Sequence, residues 1–326
     1  MKRRDFIATI GAAAAWPLAA GAQERERRIG VLINLAADDA EAKRRLSSFI
    51  RALMTLGWID GHNLRIEARW GGGSPDRISK QASEIIALAP DVILASGDST
   101  LGPILRETRT IPVVFVIVPD PVGAGFVDSL SHPGRNATGF TNIEFGTSAK
   151  WLELLKHIAP YVQKVGVLRD PSIPSGIGQW GAIQAIAPSL NVELQPLDIR
   201  DAQEIERTIT TFAQFPNRAL ITVTSAIAIS HRDEIIALAA RHQLPAVYPY
   251  RVFAESGGLI SYGPDLIDQY RQAAGYIDRI LKGEQPAEMP VQAPTKYELI
   301  VNLRTAKALG ITMPPSLLAT ADESID

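Results

Sequence analysis

Short, continuous apolar runs recur along this chain, and helix-forming segments separate them. Apolar runs without polar alternation are typical of parallel β-strands that helices cover on both faces. The candidate strands are Ile29–Leu35, Leu64–Trp70, Val92–Ala95, Val113–Ile117, Val165–Leu168, Val192–Leu197, Ala219–Val223, Ala246–Tyr248 and Leu259–Tyr262. The alternation of strand and helix predicts an α/β fold built on parallel sheets.

Local signals between these runs indicate where helices begin. Residues 74–76 (Ser-Pro-Asp) combine a capping hydroxyl, a proline for the first helical position and an early acid. Asp201 and Ser230 are each followed by an acid three residues later, which resembles a capping box. We therefore expect helices to begin at each of these points.

Two strand motifs recur in the same order and at nearly the same offset. Arg28–Leu32 resembles Lys164–Leu168, and Thr110–Phe115 resembles Gln243–Tyr248. This repeat predicts two homologous, Rossmann-like lobes. One continuous sheet would need more strands than open twisted sheets usually carry.

Segments rich in proline and glycine indicate how the chain passes between the lobes. We expect lobe 1 to comprise residues 23–120 and 263–283, and lobe 2 to comprise residues 121–262 and 284–326. The crossings are expected near residues 119–145, 257–264 and 283–296. Several crossings form a hinge, so the lobes can close around a ligand like a clamshell.

The first 22 residues have the pattern of an export signal. Basic residues occupy positions 2–4, an alanine-rich apolar stretch covers 6–18, and small residues precede a predicted cleavage site after Ala22. The apolar stretch is shorter than the roughly 20 residues of a membrane-spanning helix, and no such run follows. Arg3 and Arg4, with apolar residues just after them, favour the twin-arginine route, although an ordinary Sec signal has similar features. We expect a protein of the periplasm without stable membrane insertion.

Composition and missing motifs exclude several function classes. Lys and Arg total 33 against 35 for Asp and Glu, and no basic block follows the first residues, so no nucleic-acid partner is expected. The absence of cysteine excludes disulfides, thiolate metal sites, a cysteine nucleophile and a lipidated cysteine. The chain lacks a phosphate-binding loop, a close histidine pair and a G-x-S-x-G motif. We expect no cofactor, no metal and no catalytic residues, although paired carboxylates remain open because their pairing is spatial.

Polar residues that follow the predicted strands are candidates for binding, because ligands of open α/β sheets lie beyond the carboxyl ends of the strands. Residues 96–100 form a hydroxyl-rich turn before a helix, which offers N–H groups to a carboxylate, while plain helix capping explains the same residues equally well. Asp120 and Asp170 are candidates for pairing with an ammonium group or for shaping turns. Tyr248 and Tyr262 could form an aromatic wall, whereas Tyr250 is expected to pack beneath the hinge. The full set of candidates is Asn34, Ser96, Asp98, Ser99, Thr100, Asp120, Asp170, Thr224, Ser225, Tyr248 and Tyr262.

Longer motifs carry a resemblance to a known family. They are Leu56–Leu64, Asp120–Val127, Pro133–Gly139, Pro294–Leu303, Thr305–Gly310 and Pro314–Leu318. At these residues the chain resembles the periplasmic substrate-binding proteins of ABC transporters, in the tryptophan/tyrosine-type uptake group with the type I periplasmic-binding-protein fold. The resemblance covers nearly all of the chain after residue 22.

The resemblance implies capture of a small carboxylate-bearing, aromatic amino-acid-like ligand and its delivery to an ABC permease with its ATPase. It also implies that residues 96–100 and 224–226 contact the ligand, and we expect a monomer. Asp170 stands where relatives often have asparagine, which favours an amine or a hydroxyl-rich ligand. Two alternatives have the same fold class: a sensory module that serves a chemoreceptor or sensor kinase, and an exported hydrolase.

Overall fold

The computed structural model describes residues 26–326. The predicted export signal, its arginine pair and its cleavage site lie outside these residues.

Strands and helices alternate along the described chain. The strands are β1 (Arg27–Ile33), β2 (Leu64–Trp70), β3 (Val92–Ser96), β4 (Val113–Val118), β5 (Ala137–Thr141), β6 (Lys164–Arg169), β7 (Glu193–Asp198), β8 (Arg218–Thr222), β9 (Ala246–Tyr248), β10 (Ile260–Pro264), β11 (Tyr297–Asn302) and β12 (Glu323–Ile325). The helices are α1 (Ala40–Thr55), α2 (Pro75–Ala87), α3 (Asp98–Glu107), α4 (Ala149–Ile158), α5 (Pro174–Ile186), α6 (Ala202–Phe212), α7 (Ala226–Ser230), α8 (Arg232–Arg241), α9 (Arg251–Glu255), α10 (Leu266–Leu281), α11 (Leu303–Ala308) and α12 (Pro315–Leu318). Short 3₁₀ helices lie at Phe145–Ser148, Ala187–Leu190 and Pro286–Glu288.

The strands form two sheets, which confirms the predicted α/β class. The first is 5-stranded in the order β2-β1-β3-β4-β5, and the second is 7-stranded in the order β12-β11-β10-β9-β8-β6-β7. Neighbouring strands are parallel except for β10 and β11, which are antiparallel. The bounds of β2 and β9 coincide with the predicted strands, because these runs end abruptly at polar, glycine or proline residues.

Capping decides where several helices begin. The Ser74 hydroxyl accepts a hydrogen bond from the Arg77 amide at the start of α2, and Asp201 accepts one from the Glu204 amide at the start of α6. Both predicted starts are confirmed. The capping box predicted at Ser230 is wrong, because Ser230 is the last residue of α7 and His231 occupies the cap position of α8.

The chain passes between the sheets after β5, after β10 and after α10. Helix α4, which follows β5, packs on β8 and β9 of the second sheet. Helix α10, which follows β10, packs on α1 and β4 of the first sheet. The boundary expected at residues 120–121 lies too early, because β5 pairs with β4 and extends the first sheet.

The buried core is continuous between the sheets. The larger hydrophobic cluster includes Ile29 and Val114 of the first sheet together with Val165 and Leu220 of the second. Trp151, which follows the first crossing, is fully buried in it. In the part of the chain from residue 26 onward, no helix combines the length and the apolar character needed to cross a bilayer.

Candidate functional site

The loops that follow strands of both sheets line an inner cavity of about 20 Å³. Asn34 follows β1, Asp98 follows β3, and Thr224 and Ser225 follow β8 of the opposite sheet; all line this cavity. A cavity of this size holds about one water molecule. Only a small ligand group therefore fits in it.

An outer cavity of about 360 Å³ adjoins the inner one. Asp98 and Ala226 line both cavities. The walls of the outer cavity come from α2 and α3 on one side and from residues 170–174 and α7 on the other. Its volume lies in the range of small-molecule sites.

Arg45 is a fully buried arginine that lines the inner cavity. It lies in α1 and is fully buried, and its Nε donates to Glu41 Oε1 at 2.9 Å. Its Nη1 and Nη2 have no hydrogen-bond partner among residues 26–326. A buried guanidinium with free N–H groups is energetically costly, and its planar fork fits a carboxylate.

Glu41 keeps the Arg45 side chain in place. Its Oε2 also accepts from Arg44 at 2.6 Å. Burial raises the pKa of Glu41, but the charges and hydrogen bonds of Arg45 and Arg44 outweigh burial and bring the pKa below its usual value. Glu41 is therefore ionised at neutral pH and fixes the Arg45 Nε, which leaves both Nη groups available to a ligand.

Asp98 lies at the first position of α3 and connects the two sides of the cleft. Its Oδ1 accepts from the Ser99 amide at 3.0 Å, and its Oδ2 accepts from the Ser175 amide of α5 at 3.3 Å. Burial raises the pKa of this carboxyl, and hydrogen bonds from Ser175 and Ser99 oppose that effect only in part. A ligand ammonium would favour the charged form of Asp98.

The start of α3 remains open to the cleft. The cap residue is Gly97, which has φ +88° and makes no side-chain cap. A β-carbon at this position would lie 2.7 Å from Asn34 Nδ2, so both the conformation and the space require glycine. Thr100 directs its hydroxyl back to the Gly97 carbonyl at 2.9 Å. Asp98 and Ser99 therefore line the cavities, whereas the Thr100 hydroxyl is used in a hydrogen bond within the helix.

The second sheet supplies a wall of ordered polar groups. Gln179 Oε1 accepts from both the amide and the hydroxyl of Thr224 at 2.9 Å, and Ser225 caps α7 through the Ala228 amide. Tyr250, expected to pack beneath the hinge, instead lines the inner cavity. Its hydroxyl accepts from Asn142 Nδ2 at 2.6 Å. Burial raises the pKa of Tyr250, so its hydroxyl stays protonated.

The backbone at the end of β4 is strained where it meets the inner cavity. Ile117 lines the cavity with φ +60°, a left-handed conformation that β-branched residues rarely adopt. Gln269 of α10 holds this segment: its Oε1 accepts from the Ile117 amide at 3.0 Å, and its Nε2 donates to the Thr141 carbonyl at 3.1 Å. Such strain is typical of ligand sites.

Most predicted site residues meet at the cavities, and some do not. Those that line a cavity are Asn34, Asp98, Ser99, Asp170, Thr224 and Ser225. Those that line neither cavity are Ser96, Thr100, Asp120, Tyr248 and Tyr262.

Local packing explains these departures. Ser96 is fully buried within β3, and Asp120 closes its own turn by accepting from the Gly123 amide. The Tyr248 ring stacks on Phe253 with centroids 4.9 Å apart. The Tyr262 ring stacks on Tyr297 at 5.6 Å.

Sequence reasoning missed Arg45, although a signal for it exists. Arg45 lies one helical turn before Phe49, on the buried face of α1. A charged residue inside an apolar stripe requires a partner.

Ion pairs join the two sides of the cleft at its rim. Arg232 of α8 donates to Asp39 at 2.6 Å, and both side chains are largely buried. Asp39 also caps α1 through the Ala42 amide. Arg44 of α1 reaches Glu255 of α9 at 3.1 Å. Both pairs therefore hold the two sides of the cleft together. In residues 26–326, no group of three or more His, Asp and Glu side chains is arranged to hold a metal ion.

Residues 28–325 match the model of the family described as "ABC transporter substrate binding protein". A relative from Clostridioides difficile, named tyrosine-binding protein, is 25% identical over 288 residues, which cover 88% of this chain and 82% of the relative. These comparisons give no support to a sensory module or a hydrolase.

Solved structures share the fold. A domain from Streptococcus pneumonia in complex with L-Trp has a TM-score of 0.85 and 23% identity, covering 92% of this chain and 100% of that one. A ligand-free, open substrate binding protein with adhesive properties from Clostridium difficile has a TM-score of 0.65 and 24% identity, covering 92% of this chain and 99% of that one.

Proposed function

Because the chain belongs to the family of ABC transporter substrate-binding proteins, we propose that it captures an amino-acid-like ligand between two lobes and delivers it to an ABC permease with its ATPase. The free Nη groups of Arg45 are the observation that carries the ligand class. A ligand carboxylate that enters the inner cavity would satisfy both groups in a bidentate pair. Asp98, and Asp170 beyond it, would receive the ammonium group.

An aromatic side chain is the proposed third feature of the ligand. The relative named for tyrosine and the structure in complex with L-Trp support it. The walls of the outer cavity, which include Ile78 and Phe126, offer apolar surface for such a side chain. We propose that the protein releases this ligand chemically unchanged.

The lobes are proposed to move about the crossings that follow β5, β10 and α10. The packing of α10 on α1 and β4 supports the assignment of residues 263–283 to the first lobe. Opening would break the Arg232–Asp39 and Arg44–Glu255 pairs, since each joins the two sides. Closure would then exclude water from the ligand and strengthen its electrostatic contacts.

Export to the periplasm is proposed from the pattern of residues 1–22, with the twin-arginine route favoured and the mature protein acting as a monomer. Replacing both Arg3 and Arg4 with lysine should retain the precursor inside the cell, because this route reads the arginine pair. Processing after Ala22 would appear by mass spectrometry of the exported protein. Normal export of the lysine variant would refute the route.

A thermal-shift screen tests the function. L-tyrosine, L-tryptophan and L-phenylalanine should each raise the melting temperature of the mature protein, and the corresponding amines without a carboxylate should not. A ligand at a hundredfold excess over Kd stabilises by about 2.7 kcal/mol. Recovery of the ligand after incubation should return it unaltered. If no amino acid shifts the melting temperature, or if the ligand is converted, the proposed function is wrong.

A further inference from the structure

The outer cavity is lined by one arginine whose side chain pairs with no residue from 26 to 326. Arg106 of α3 lines this cavity. It makes no ion pair or hydrogen bond through its side chain with any residue from 26 to 326, whereas Arg44, Arg232 and Arg251 all pair with acids. Arg106 is exposed, so its guanidinium is available to a ligand.

We propose that Arg106 recognises the far end of the ligand side chain and selects one that ends in a hydrogen-bond acceptor or an anion. A phenolic oxygen and a distal carboxylate are both of this class. This inference rests on the proposed function, because it takes the ligand head group to lie at Arg45 and Asp98.

The arrangement of the two cavities determines the direction of the ligand. The inner cavity has room only for a small group, so a carboxylate bound to Arg45 fills it. Asp98 lines both cavities and would hold the ammonium at their junction. The side chain must then extend into the outer cavity, where Ile78 and Ile173 form apolar walls from opposite sides.

The distance of Arg106 from Asp98 along α3 suits the end of such a ligand side chain. It follows Asp98 by about two turns of α3, roughly 12 Å along the axis. Its guanidinium folds back, since a β-carbon on Gly102 would lie 3.6 Å from Arg106 Nη1. Nη1 therefore lies beside Gly102, which is about one turn, roughly 6 Å along the helix axis, beyond Asp98. This distance is comparable with the length of a para-substituted phenyl ring.

Phe126 supports an aromatic ligand at this depth. Its ring would lie 3.8 Å from the same β-carbon position on Gly102, so the ring and the guanidinium both approach this point. Gly102 has no side chain, so this point stays free for a ligand atom. A ligand ring packed against Phe126 would bring its para substituent toward Arg106.

Calorimetric titration of the mature protein with three probes tests this assignment: L-phenylalanine, L-tyrosine and 4-carboxy-L-phenylalanine. The wild type should bind the carboxy compound and tyrosine about tenfold or more tightly than phenylalanine, because a charge-assisted hydrogen bond is gained. Arg106→Gln should abolish this preference and leave the affinity for phenylalanine within about twofold. Arg109→Gln is the matched control, because Arg109 is exposed near the end of the same segment and lines neither cavity.

Each contrary result has a distinct meaning. Equal binding of the three probes by the wild type would overturn the role of Arg106 and leave the proposed function intact. An equal loss of all three on Arg106→Gln would place the ligand carboxylate at Arg106 and overturn the assignment. If the wild type binds none of the probes, the proposed function and this inference both fail.

Discussion

Replacing Arg45 with methionine separates ligand recognition from folding. Arg45 is fully buried, and its Nε pairs with Glu41 at 2.9 Å while both Nη groups lack partners. Removing one partner of a buried ion pair usually costs about 3–5 kcal/mol. Here Glu41 keeps Arg44 at 2.6 Å, and methionine removes two unsatisfied groups. We therefore expect the free energy of unfolding without ligand to fall by no more than about 1–2 kcal/mol.

Arg45→Met should weaken ligand binding far more than it lowers the free energy of unfolding. Hydrogen bonds to charged groups contribute about 1.5–3 kcal/mol each, and the proposed bidentate pair contains two. Loss of about 3 kcal/mol or more corresponds to at least a hundredfold weaker affinity. Arg45→Lys, which retains the charge but not the fork, should lie between the wild type and Arg45→Met.

Titration calorimetry with L-tyrosine gives the affinities, and urea denaturation without ligand gives the stabilities. Arg51→Met is the matched control, because Arg51 lies on the same helix and is exposed. It should change neither quantity appreciably. An affinity of Arg45→Met within about threefold of the wild type would refute the carboxylate site at Arg45.

Three further perturbations probe the cleft. Burial raises the pKa of Asp98, so its contribution to the stability of the ligand-free protein is full below the ordinary carboxyl pKa and is lost as pH rises through the raised value. Asp98→Asn should remove this pH dependence of the free energy of unfolding, measured by urea denaturation across the acidic range. An unchanged pH dependence would contradict the raised pKa of Asp98. Arg232→Gln should break the ion pair with Asp39 and weaken ligand affinity several-fold. Because this pair joins the two lobes, the ligand-free variant should also have a larger radius of gyration in small-angle scattering. An unaltered radius of gyration would show that the pair does not hold the lobes together. Gly97→Ala should lower the free energy of unfolding by about 1–3 kcal/mol, because φ +88° is strained for alanine and its β-carbon would meet Asn34. A variant with the thermal stability of the wild type would show that this position does not require glycine.

Local patterns determined the fold class and many element bounds. The predicted β2 and β9 match the structure, and Ser74 and Asp201 cap α2 and α6, because strand runs and caps depend on residues close in sequence. Strand β5 was not predicted. Its sequence is short and mixed in polarity, and its pairing with β4 stabilises it.

The sequence by itself also predicted several residues that line the candidate site. Asn34, Asp98 and Thr224 were predicted because the carboxyl ends of parallel strands gather at one edge of a sheet, a rule that needs only the strand positions. That rule assigns no role to a residue inside a helix, so Arg45 was missed. It also does not separate Tyr248, which stacks on Phe253, from Tyr250, which reaches the cavity.

Only the tertiary structure decided which of these side chains meet. Asp98 and the Ser175 amide are far apart in sequence, and their contact exists because the two lobes face each other. Arg45 of the first lobe and Tyr250 of the second line the same cavity, and the Arg45 Nη groups find no partner among residues 26–326. Burial and the absence of a partner depend on every element packed around a group. Sequence periodicity therefore predicts the lobes, while the chemistry of the cleft follows from how they close.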